Sequence, residues 1–334
     1  MGAAAAEPGI PSMSDSRYAS LDVGSNTVRL LLAQRTKKGW FRPLRMERSI
    51  TRLGGNFSFD GNLDEQAMQR TLETLTAFAD LLERERAEKI FAVGTGVLRE
   101  AKNGKAFVER VAKHTGLPLR IVSGEEEAGL MLKGVLGSLP GKTSSRIIAD
   151  VGGWSTELVW AEGQEARKML SAPLGAVALT ERFLRKDPPS QKDLESLTAW
   201  TKSAVGESRK AFEKEGLGVA GLDSHLVGTA GTMTTLAAID QGLTVYDPKR
   251  ITGHRIAHSA LERIYLHLRS LPVGERRGVP GLEKGREDLI IAGAVVALNL
   301  LEVFGLKTLL VVDSGLLEGI LLDGLERMPS SEGH

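Results

Sequence analysis

Two spacings of apolar side chains alternate along the chain, and they predict helices and strands in turn. Residues 63–88 have apolar positions at helical spacing, and Asn62 precedes them as a candidate N-cap, with Glu65 at the third position of the helix. KIFAVGTG (89–96) is a short apolar run that ends in a glycine turn, which is typical of a buried strand. The next predicted elements are a helix at 103–115, a strand at 117–124 and a helix at 125–137.

The second half of the chain has a similar order of elements. SRIIADVGG and STELVWAEG predict two strands around a tight turn, and RKMLSAP predicts a third strand. The residues at 188–190 are Pro-Pro-Ser, and they precede a long helix that is expected to end near Gly216. SHLVGTAGT (224–232) and TLLVVDSGLLEG (308–319) each predict a strand, a glycine turn and a helix. We therefore expect an α/β protein with mixed sheets flanked by helices.

Two stretches of the chain resemble each other. LDVGSNTVRLLL (21–32) and ADVGGWSTELVW (149–160) both contain an apolar residue, Asp-Val-Gly, and then small and hydroxyl side chains before a strand-like run. Their separation is about the length of a domain, so they indicate two halves of related design. We expect a first domain over 17–124 and a second over 125–311, with the segment at about 312–328 as a candidate to return to the first domain.

The composition narrows the classes of function. Hydrophobic residues make up 42% of the chain and charged residues 25%, which is ordinary for a globular protein. The net charge is +1, so no global field favours a nucleic acid or a membrane as a partner. The chain has no cysteine, which excludes disulfides, thiolate metal sites and a cysteine nucleophile. The sequence leaves the oligomeric state open, with a homodimer among the alternatives.

Neither the N-terminal tail nor the most apolar segment has the pattern of a targeting or membrane-spanning sequence. Residues 1–16 lack the basic start and the long apolar stretch of a secretory signal, and their small residues and two prolines predict a disordered tail. The most apolar segment, 290–306, contains Asn299 and Glu302, so it predicts a buried helix rather than a membrane span. We therefore expect a cytoplasmic protein.

Turns that combine glycine with hydroxyl side chains follow several predicted strands. Glycine lets backbone N–H groups point into a concave site, and hydroxyl side chains add donors that suit phosphate oxygens. Asp22 and Asp150 end the strands before two of these turns, and a carboxylate beside phosphate would repel it unless a cation intervenes. Hard oxygen ligands of this kind indicate Mg²⁺ or Mn²⁺. The turns lie at 22–27, 150–156, 228–232 and 313–315.

Three clusters of charged residues each allow a functional and a structural interpretation. The glutamates at 125–127 either complement the dipole of a helix N-terminus or place one or two carboxylates in a cleft. Arg99 follows a glycine turn, where a guanidinium could clamp phosphate with two hydrogen bonds, although a surface arginine is also expected there. Arg45, Arg48 and Arg52 either draw a polyanion toward the site or form a solvated face.

The ordered set of motifs resembles the exopolyphosphatase/guanosine pentaphosphate phosphohydrolase family, over about residues 17 to 325. The resemblance implies two ribonuclease-H-like domains of the actin-like ATPase superfamily with a cleft between them. It also implies release of a terminal phosphate from inorganic polyphosphate or from guanosine pentaphosphate (pppGpp). The stretches that carry it are LDVGSNTVRLLL, GTGVLREAKN, VSGEEEAGLMLKGV, ADVGGWSTELV, GTAGTMTTLAA and VVDSGLLEG.

The same resemblance implies roles for individual residues. Glu127 matches the glutamate that activates water, and Arg99 matches an arginine that contacts phosphate. Asp150 and Glu157 match acidic residues that are linked to the metal and to catalysis. Positions that match the phosphate-binding loops are Gly24, Ser25, Asn26, Thr27, Gly152, Gly153, Ser155 and Thr156, together with Gly231 and Thr232 in the glycine turn of the second domain.

Two positions depart from the family pattern. Trp154 stands where relatives have a third glycine, and it would be strained there if that position needs a positive φ; we expect its ring at the mouth of the cleft. Leu317 stands where relatives commonly have arginine. Metal-dependent hydrolysis of polyphosphate is the favoured function, with pppGpp hydrolysis as an alternative. A catalytically weakened sensor that binds polyphosphate or nucleotide is the alternative from another class.

Overall fold

The structure is a computed structural model, and it describes most of the chain. The described residues are 16–36, 41–55, 57, 61–139, 145–218 and 222–328. The tail predicted at 1–16 lies outside them except for its last residue.

The first part of the chain forms five strands and four helices within the described residues, in an order close to the predicted one. They are β1 (Arg17–Val23), β2 (Thr27–Arg35), β3 (Phe41–Ile50), α1 (Glu65–Arg84), β4 (Ala87–Gly94), α2 (Val97–Glu100), α3 (Gly104–Thr115), β5 (Leu119–Ile121) and α4 (Gly124–Leu136). Helix α1 begins later than expected. Its N-cap is Asp64, which accepts a hydrogen bond from the Ala67 N–H at 2.9 Å, and not Asn62. An aspartate at the N-cap satisfies one of the free amides of the first turn.

The second part repeats this arrangement and extends it. Its elements are β6 (Ser145–Val151), β7 (Thr156–Glu162), β8 (Glu165–Ala172), α5 (Ala176–Phe183), α6 (Gln191–Lys214), β9 (Leu222–Thr229), α7 (Ala230–Asp240), α8 (Pro248–Ile251), β10 (Arg255–Ala257), α9 (His258–Ser270), α10 (Val273–Arg276), α11 (Ile290–Phe304), β11 (Thr308–Val311) and α12 (Leu316–Glu326). Helix α6 begins at a capping box, in which Ser190 accepts from the Asp193 N–H and Asp193 accepts in return.

The strands form two mixed sheets with related topology. The first has the order β3-β2-β1-β4-β5, with antiparallel β1, β2 and β3 and with β4 and β5 parallel to β1. The second has the order β8-β7-β6-β9-β11-β10, with antiparallel β6, β7 and β8, parallel β9 and β11, and antiparallel β10 at the edge. The predicted α/β fold with two mixed sheets is confirmed.

Helices α4 and α12 pack tightly against each other beside the two sheets. A Cβ on Gly134 of α4 would lie 1.8 Å from the carbonyl oxygen of Gly315, and one on Gly319 of α12 would lie 1.7 Å from that of Leu130. Only glycine allows the backbones to approach this closely. Helix α12 also packs on the first sheet, where Leu317 and Leu321 share a buried cluster with Tyr18, Leu31 and Phe41. The turn before α12 is thereby held against α4.

The most apolar segment forms the buried helix that its sequence predicts. Helix α11 lies in the core of the second part, with Asn299 buried among its apolar neighbours. Its C-cap is Gly305, which has a φ of 69°. None of the described helices is both long enough and apolar enough to cross a lipid bilayer.

Candidate functional site

The four glycine turns converge on one cavity between the two sheets. The cavity has a volume of about 320 Å³. It is lined by residues of all four turns. The turns follow β1, β6, β9 and β11, which run parallel within their sheets, so their carboxyl ends lie at the same edge of each sheet. The predicted site residues that line it are Gly24, Ser25, Asn26, Thr27, Glu127, Asp150, Gly152, Gly153, Ser155, Gly231 and Thr232. Three others, Arg99, Thr156 and Glu157, lie behind the cavity wall that the described residues form.

The turn between β1 and β2 is held in place by hydrogen bonds to neighbouring loops. The Gly24 N–H donates to the Thr27 carbonyl at 3.0 Å, and the Ser25 hydroxyl oxygen accepts from the Val97 N–H at 2.9 Å. The Asn26 carbonyl accepts from the N–H groups of Thr51 and Arg52, at 3.1 and 3.0 Å. The turn therefore enters the cavity already fixed in shape.

Two buried oxygens near this turn have no hydrogen-bond partner among the described residues. They are Oδ1 of Asp22 and Oδ1 of Asn26, and both residues line the cavity. The other carboxylate oxygen of Asp22 accepts from Nε and Nη2 of Arg29, at 3.0 and 2.6 Å. A buried acceptor without a donor is costly, so these two oxygens indicate a place for a cation or a hydrogen-bond donor.

The turn between β6 and β7 has the same shape but different partners. The Gly152 N–H donates to the Ser155 carbonyl at 3.0 Å, as Gly24 does to Thr27 in the first turn. The Thr156 hydroxyl donates to the Leu174 carbonyl at 2.8 Å, which ties it to the backbone. Oε1 of Glu157 accepts from the hydroxyls of Ser155 and Ser171, at 2.8 and 2.7 Å. Glu157 thus orients a serine of the cavity wall from behind.

Glu127 is the one of the three consecutive glutamates that lines the cavity. It lies in the first turn of α4, whose N-cap Ser123 accepts from the Glu126 N–H at 3.1 Å. Arg99 donates from Nη1 to Oε2 of Glu127 at 2.8 Å and to the Val122 carbonyl at 3.2 Å. Glu126 turns away and pairs with Arg120 at 2.7 Å. Arg99 therefore holds the carboxylate that faces the cavity.

The three acidic residues that were predicted for the site, Glu127, Asp150 and Glu157, repel one another. Burial raises the pKa of Asp150 to about 6, against the opposing charge of Arg29, while Asp22 raises it further. Burial and the charge of Asp150 raise the pKa of Glu157 to about 7, although its serine partners oppose the shift. Burial and Glu157 also raise the pKa of the Glu127 carboxyl, against the stabilising effect of Arg99. A cation among these groups would relieve the repulsion.

Several cavity residues were not predicted as site residues. Four of them had a sequence signal: Asp22 and Arg29 are seven positions apart, as are Asp150 and Glu157, and Asp313 and Glu318 flank the last glycine turn. Oε2 of Glu318 accepts from the Gly315 N–H at 2.7 Å, and burial raises its pKa. The added lining residues include Asp22, Arg29, Arg286, Tyr246, Asp313 and Glu318, and Arg286 and Tyr246 had no such signal.

Arg286 lies directly against the glycine turn before α7. A Cβ on Gly231 would lie 1.8 Å from Nη2 of Arg286, so a side chain there would displace the guanidinium. Arg286 Nε donates to Oε2 of Glu283 at 2.6 Å. The guanidinium therefore adds positive charge to the cavity lining, next to the N-terminus of α7.

Two ion pairs cross the cleft beside the cavity. Arg48 on β3 pairs with Glu283 at 2.6 Å. Arg52 pairs with Asp288 through two contacts of 2.8 and 3.0 Å. The arginines that were predicted to draw a polyanion inward are thus engaged in ion pairs, and Arg45 pairs with Glu47 at 2.6 Å on the same strand.

Trp154 and Leu317 occupy different environments. Trp154 is half-buried in the cavity wall, and its ring meets the Phe57 ring edge-to-face at 4.7 Å. The described non-glycine residues with positive φ are Arg52, Arg86 and Ala230, so the backbone strain considered for Trp154 does not arise. Leu317 is buried in α12, and its carbonyl accepts from the Ser20 hydroxyl at 2.7 Å.

The positions of the acidic side chains bear on the predicted Mg²⁺ or Mn²⁺ site. Among the residues that the structure describes, no three His, Asp or Glu side chains come close enough together to form a ready-made metal cluster. The acidic residues that line the cavity are Asp22, Glu47, Glu127, Asp150, Asp313 and Glu318. A cation here would have to draw part of its coordination from water or from a bound ligand.

Curated proteins of known name are similar to this chain over nearly its whole length. Exopolyphosphatase 2 of Mycobacterium tuberculosis is 32% identical over 322 residues, which cover 93% of this chain and 99% of that protein. The guanosine-5'-triphosphate,3'-diphosphate pyrophosphatase of Vibrio parahaemolyticus is 26% identical over 317 residues, which cover 94% of this chain and 60% of that protein.

Solved structures and a family model also show similarity over nearly the whole chain. The Ppx/GppA family member of Aquifex aeolicus superposes with a TM-score of 0.77 at 30% identity, over 94% of this chain and 99% of that one. An exopolyphosphatase from Cytophaga hutchinsonii has the same fold, with a TM-score of 0.85 at 23% identity and coverage of 94% of this chain and 99% of that one. The model of the Ppx/GppA phosphatase family matches residues 32–328. The chain therefore belongs to the Ppx/GppA phosphatase family.

Proposed function

We propose that the protein is a metal-dependent exopolyphosphatase that hydrolyses the terminal phosphate from inorganic polyphosphate. One observation carries the proposal: a buried glutamate, Glu127, held by Arg99 at 2.8 Å, faces a cavity lined by two glycine turns of the same shape. The relative named exopolyphosphatase 2, at 32% identity over nearly its whole length, supports the same substrate class.

In this proposal the glycine turns hold the terminal phosphates. The backbone N–H groups of residues 24–27 and 152–155 that are free of internal bonds donate to phosphate oxygens, and the Ser25 and Ser155 hydroxyls lie beside them. The transition state of phosphoryl transfer is largely loose, so catalysis depends mainly on positioning and on charge stabilisation. The shape of both turns is set before substrate binds, which lowers the cost of positioning.

Glu127 orients the attacking water and accepts its proton. Its raised pKa, caused by burial and by Glu157, brings the carboxyl closer to the range in which a general base works near neutral pH. Arg99 keeps the carboxylate directed at the cavity and offsets part of its charge. Glu157 acts from behind the wall through Ser155.

The residues present fit Mg²⁺ or Mn²⁺ at Asp150. Asp150 is buried with a raised pKa, and the free Oδ1 of Asp22 and of Asn26 are further oxygen ligands in the same cavity. Mg²⁺ commonly binds through one or two carboxylates, several waters and substrate phosphates, so a site without three clustered acids suits it. When bound, such an ion neutralises charge on the phosphate oxygens.

Phosphate release tests the proposal. Purified protein is incubated with polyphosphate, pppGpp or ATP, with and without Mg²⁺, and the Glu127→Gln variant is assayed in parallel. We expect polyphosphate to be the best substrate, a requirement for divalent metal, and a loss of at least ~10²-fold in the variant with binding retained. Turnover of the variant equal to that of the native protein would remove Glu127 from the mechanism.

Hydrolysis of pppGpp to ppGpp is the second candidate. The Vibrio relative named for guanosine-5'-triphosphate,3'-diphosphate supports it, and Tyr246 adds an aromatic ring to the cavity lining. A higher kcat/KM for pppGpp in the same assay would favour it. Binding of polyphosphate without release of phosphate from any substrate would favour the sensor.

A further inference from the structure

A second polar groove lies at the opposite end of the first sheet from the cavity. It has a volume of about 670 Å³ and is lined by Arg17, Arg42, Arg84 and Arg86, with Glu85, Gln34 and Leu44 completing the wall. Four guanidinium groups therefore face one carboxylate, in a chain whose net charge is only +1. A local excess of positive charge on this scale indicates an anion-binding surface.

The contacts within the groove leave much of this charge uncompensated. Arg17 pairs with Glu85 and also donates to the Glu85 carbonyl at 3.2 Å. Arg42 donates from Nη2 to the neutral Gln34 side chain at 2.8 Å. Within the described part of the chain, the guanidinium groups of Arg84 and Arg86 have no hydrogen bond or ion pair.

Stabilisation of helix α1 explains only part of the cluster. Arg84 lies in the last turn of α1, where a cation interacts favourably with the helix dipole. Arg17 already occupies the carbonyl of the C-cap residue. Neither the helix dipole nor the C-cap carbonyl requires Arg42, which lies on strand β3, or Arg86, which follows the helix.

The position of the groove suits a long substrate. Arg17 begins β1, and Asp22 near its other end lines the cavity, so the two sites are separated by about 17 Å at the rise of a strand. Strand β3 lies at the edge of the first sheet and joins them, from Arg42 in the groove to Arg48 in the cavity wall. An extended polyanion can therefore reach both sites along one exposed strand.

We infer that this arginine groove binds the distal part of the inorganic polyphosphate chain while the chain's end lies in the cavity. The inference rests on the proposed function for the identity of the ligand. The planar guanidinium donates two parallel hydrogen bonds to phosphate, which suits a ligand that presents phosphate oxygens along its whole length. The groove would then select for long chains without taking part in hydrolysis.

The test compares chain lengths in a variant that neutralises the groove. Arg42→Gln/Arg84→Gln/Arg86→Gln leaves Arg17 in place to hold Glu85. A matched control, Arg255→Gln/Arg263→Gln/Arg277→Gln, removes the same charge from exposed positions outside both sites. We expect the KM for long polyphosphate to rise about tenfold in the groove variant, and the KM for tripolyphosphate and both kcat values to stay within about twofold.

Two outcomes would overturn the inference. An equal rise for long and short chains would mean general electrostatic attraction, and an equal effect in the control would mean that net charge alone matters. Thermal melting of each variant checks that the fold is retained.

A binding measurement separates this inference from the proposed function. Long polyphosphate is titrated into native, groove and control proteins in EDTA, where a metal-dependent enzyme does not consume it. About tenfold weaker binding by the groove variant alone supports the groove, even if the native protein releases no phosphate from polyphosphate. Unchanged binding, in a native protein that does hydrolyse polyphosphate, refutes the groove and leaves the proposed function standing.

Discussion

The hairpins β1–β2 and β6–β7 share one backbone design but differ in charge. Asp22 lies opposite Arg29 in the first hairpin, and Asp150 lies opposite Glu157 at the equivalent position of the second. Arg29 donates two hydrogen bonds to Asp22, at 3.0 and 2.6 Å. Glu157 has only hydroxyl donors, from Ser155 and Ser171, for its Oε1.

The difference shows how one motif can supply two halves of a site. The first hairpin has a nearly neutral pair, whereas the second has two carboxyls whose pKa values are raised by burial and, for Glu157, by Asp150. A cation is therefore expected at the second hairpin, with the first hairpin providing phosphate-binding amides beside it.

The largest effect is expected at Asp150. Asp150→Asn removes a carboxylate that would bind the metal, and we expect the Mg²⁺ concentration for half-maximal activity to rise at least ~10-fold, with turnover falling by about 10²-fold. Phosphate release measured across a Mg²⁺ titration checks this. Asp22→Asn should have a smaller effect, because Arg29 already offsets the charge of Asp22 and the amide keeps an oxygen at the Oδ1 position. A larger shift for Asp22→Asn than for Asp150→Asn would reverse the assignment of the two hairpins.

Arg29 should matter for stability. Arg29→Gln leaves Asp22 buried without its charge partner, and we expect the free energy of unfolding to fall by about 1–3 kcal/mol in urea titrations. Arg110→Gln is a suitable control, because Arg110 pairs with the exposed Glu65 and should cost less than about 1 kcal/mol. Equal losses in the two variants would mean that the first hairpin gains nothing from its neutral pair.

The second hairpin should make stability depend on pH. The pKa values of Asp150 and Glu157 are about 6 and 7 in the folded protein, above their usual values near 4. The folded state then binds more protons than the unfolded state between about pH 4 and 7, so their contribution to stability is present at low pH and is lost as the pH rises through 6 to 7. In EDTA, the melting temperature should therefore fall over this range.

The charged groups that face Asp150 and Glu157 also affect the titration of this pair. They are Asp22, Glu127, Arg29 and Arg99, from β1, α4, β2 and α2. Mg²⁺ should raise the melting temperature at pH 8, where the carboxyls are ionised, and have little effect at pH 5. The double variant Asp150→Asn/Glu157→Gln should show a flatter pH profile. A profile that matches the native one would locate the titrating groups elsewhere.

The smallest effect is expected at Trp154, whose position in the first turn is occupied by Asn26. Trp154→Gly removes an edge-to-face contact with Phe57 and one part of the cavity wall. Turnover should stay within ~10-fold while substrate preference changes, because apolar shape selection is modest. Polyphosphate with Mg²⁺ should change the tryptophan fluorescence of the native protein, and the variant should lose most of that change.

Single replacements of the other tryptophans serve as controls for this measurement. Trp160 and Trp200 lie in the second part of the fold, and Trp40 lies outside the described residues. If Trp154→Gly instead raises a near-zero activity by orders of magnitude, the ring blocks the site and the sensor becomes the better interpretation. Unchanged fluorescence at saturating substrate would place the ring away from the bound ligand.

Local patterns predicted much of the fold and of the cavity wall. The recurrence of Asp-Val-Gly at residues 22 and 150 indicated two related halves, and the strand order of the two sheets agrees with it. The spacing of apolar residues located the helices but not their first residues, because Asn62 and Asp64 are equally good caps by type. The position of Leu317 could not be interpreted until α12 was seen to pack on the first sheet.

The charge pattern of the two hairpins was also present in the sequence but was missed. Arg29 follows Asp22 by seven positions, as Glu157 follows Asp150, so equal turns place each pair in register. The ion pair between Arg52 and Asp288 had no comparable signal, since 236 positions separate the two residues.

By itself the sequence determined which turns combine glycine with hydroxyl side chains and where the carboxylates stand along the chain. These features depend on residue type and on spacing within a few positions, which the backbone converts directly into turns and strand register. Only the tertiary structure decided that Arg99 holds Glu127, that Trp154 packs on Phe57, and that distant arginines share a groove. Those outcomes depend on how two sheets and their helices pack, because contacts between distant segments leave no periodic trace in the chain.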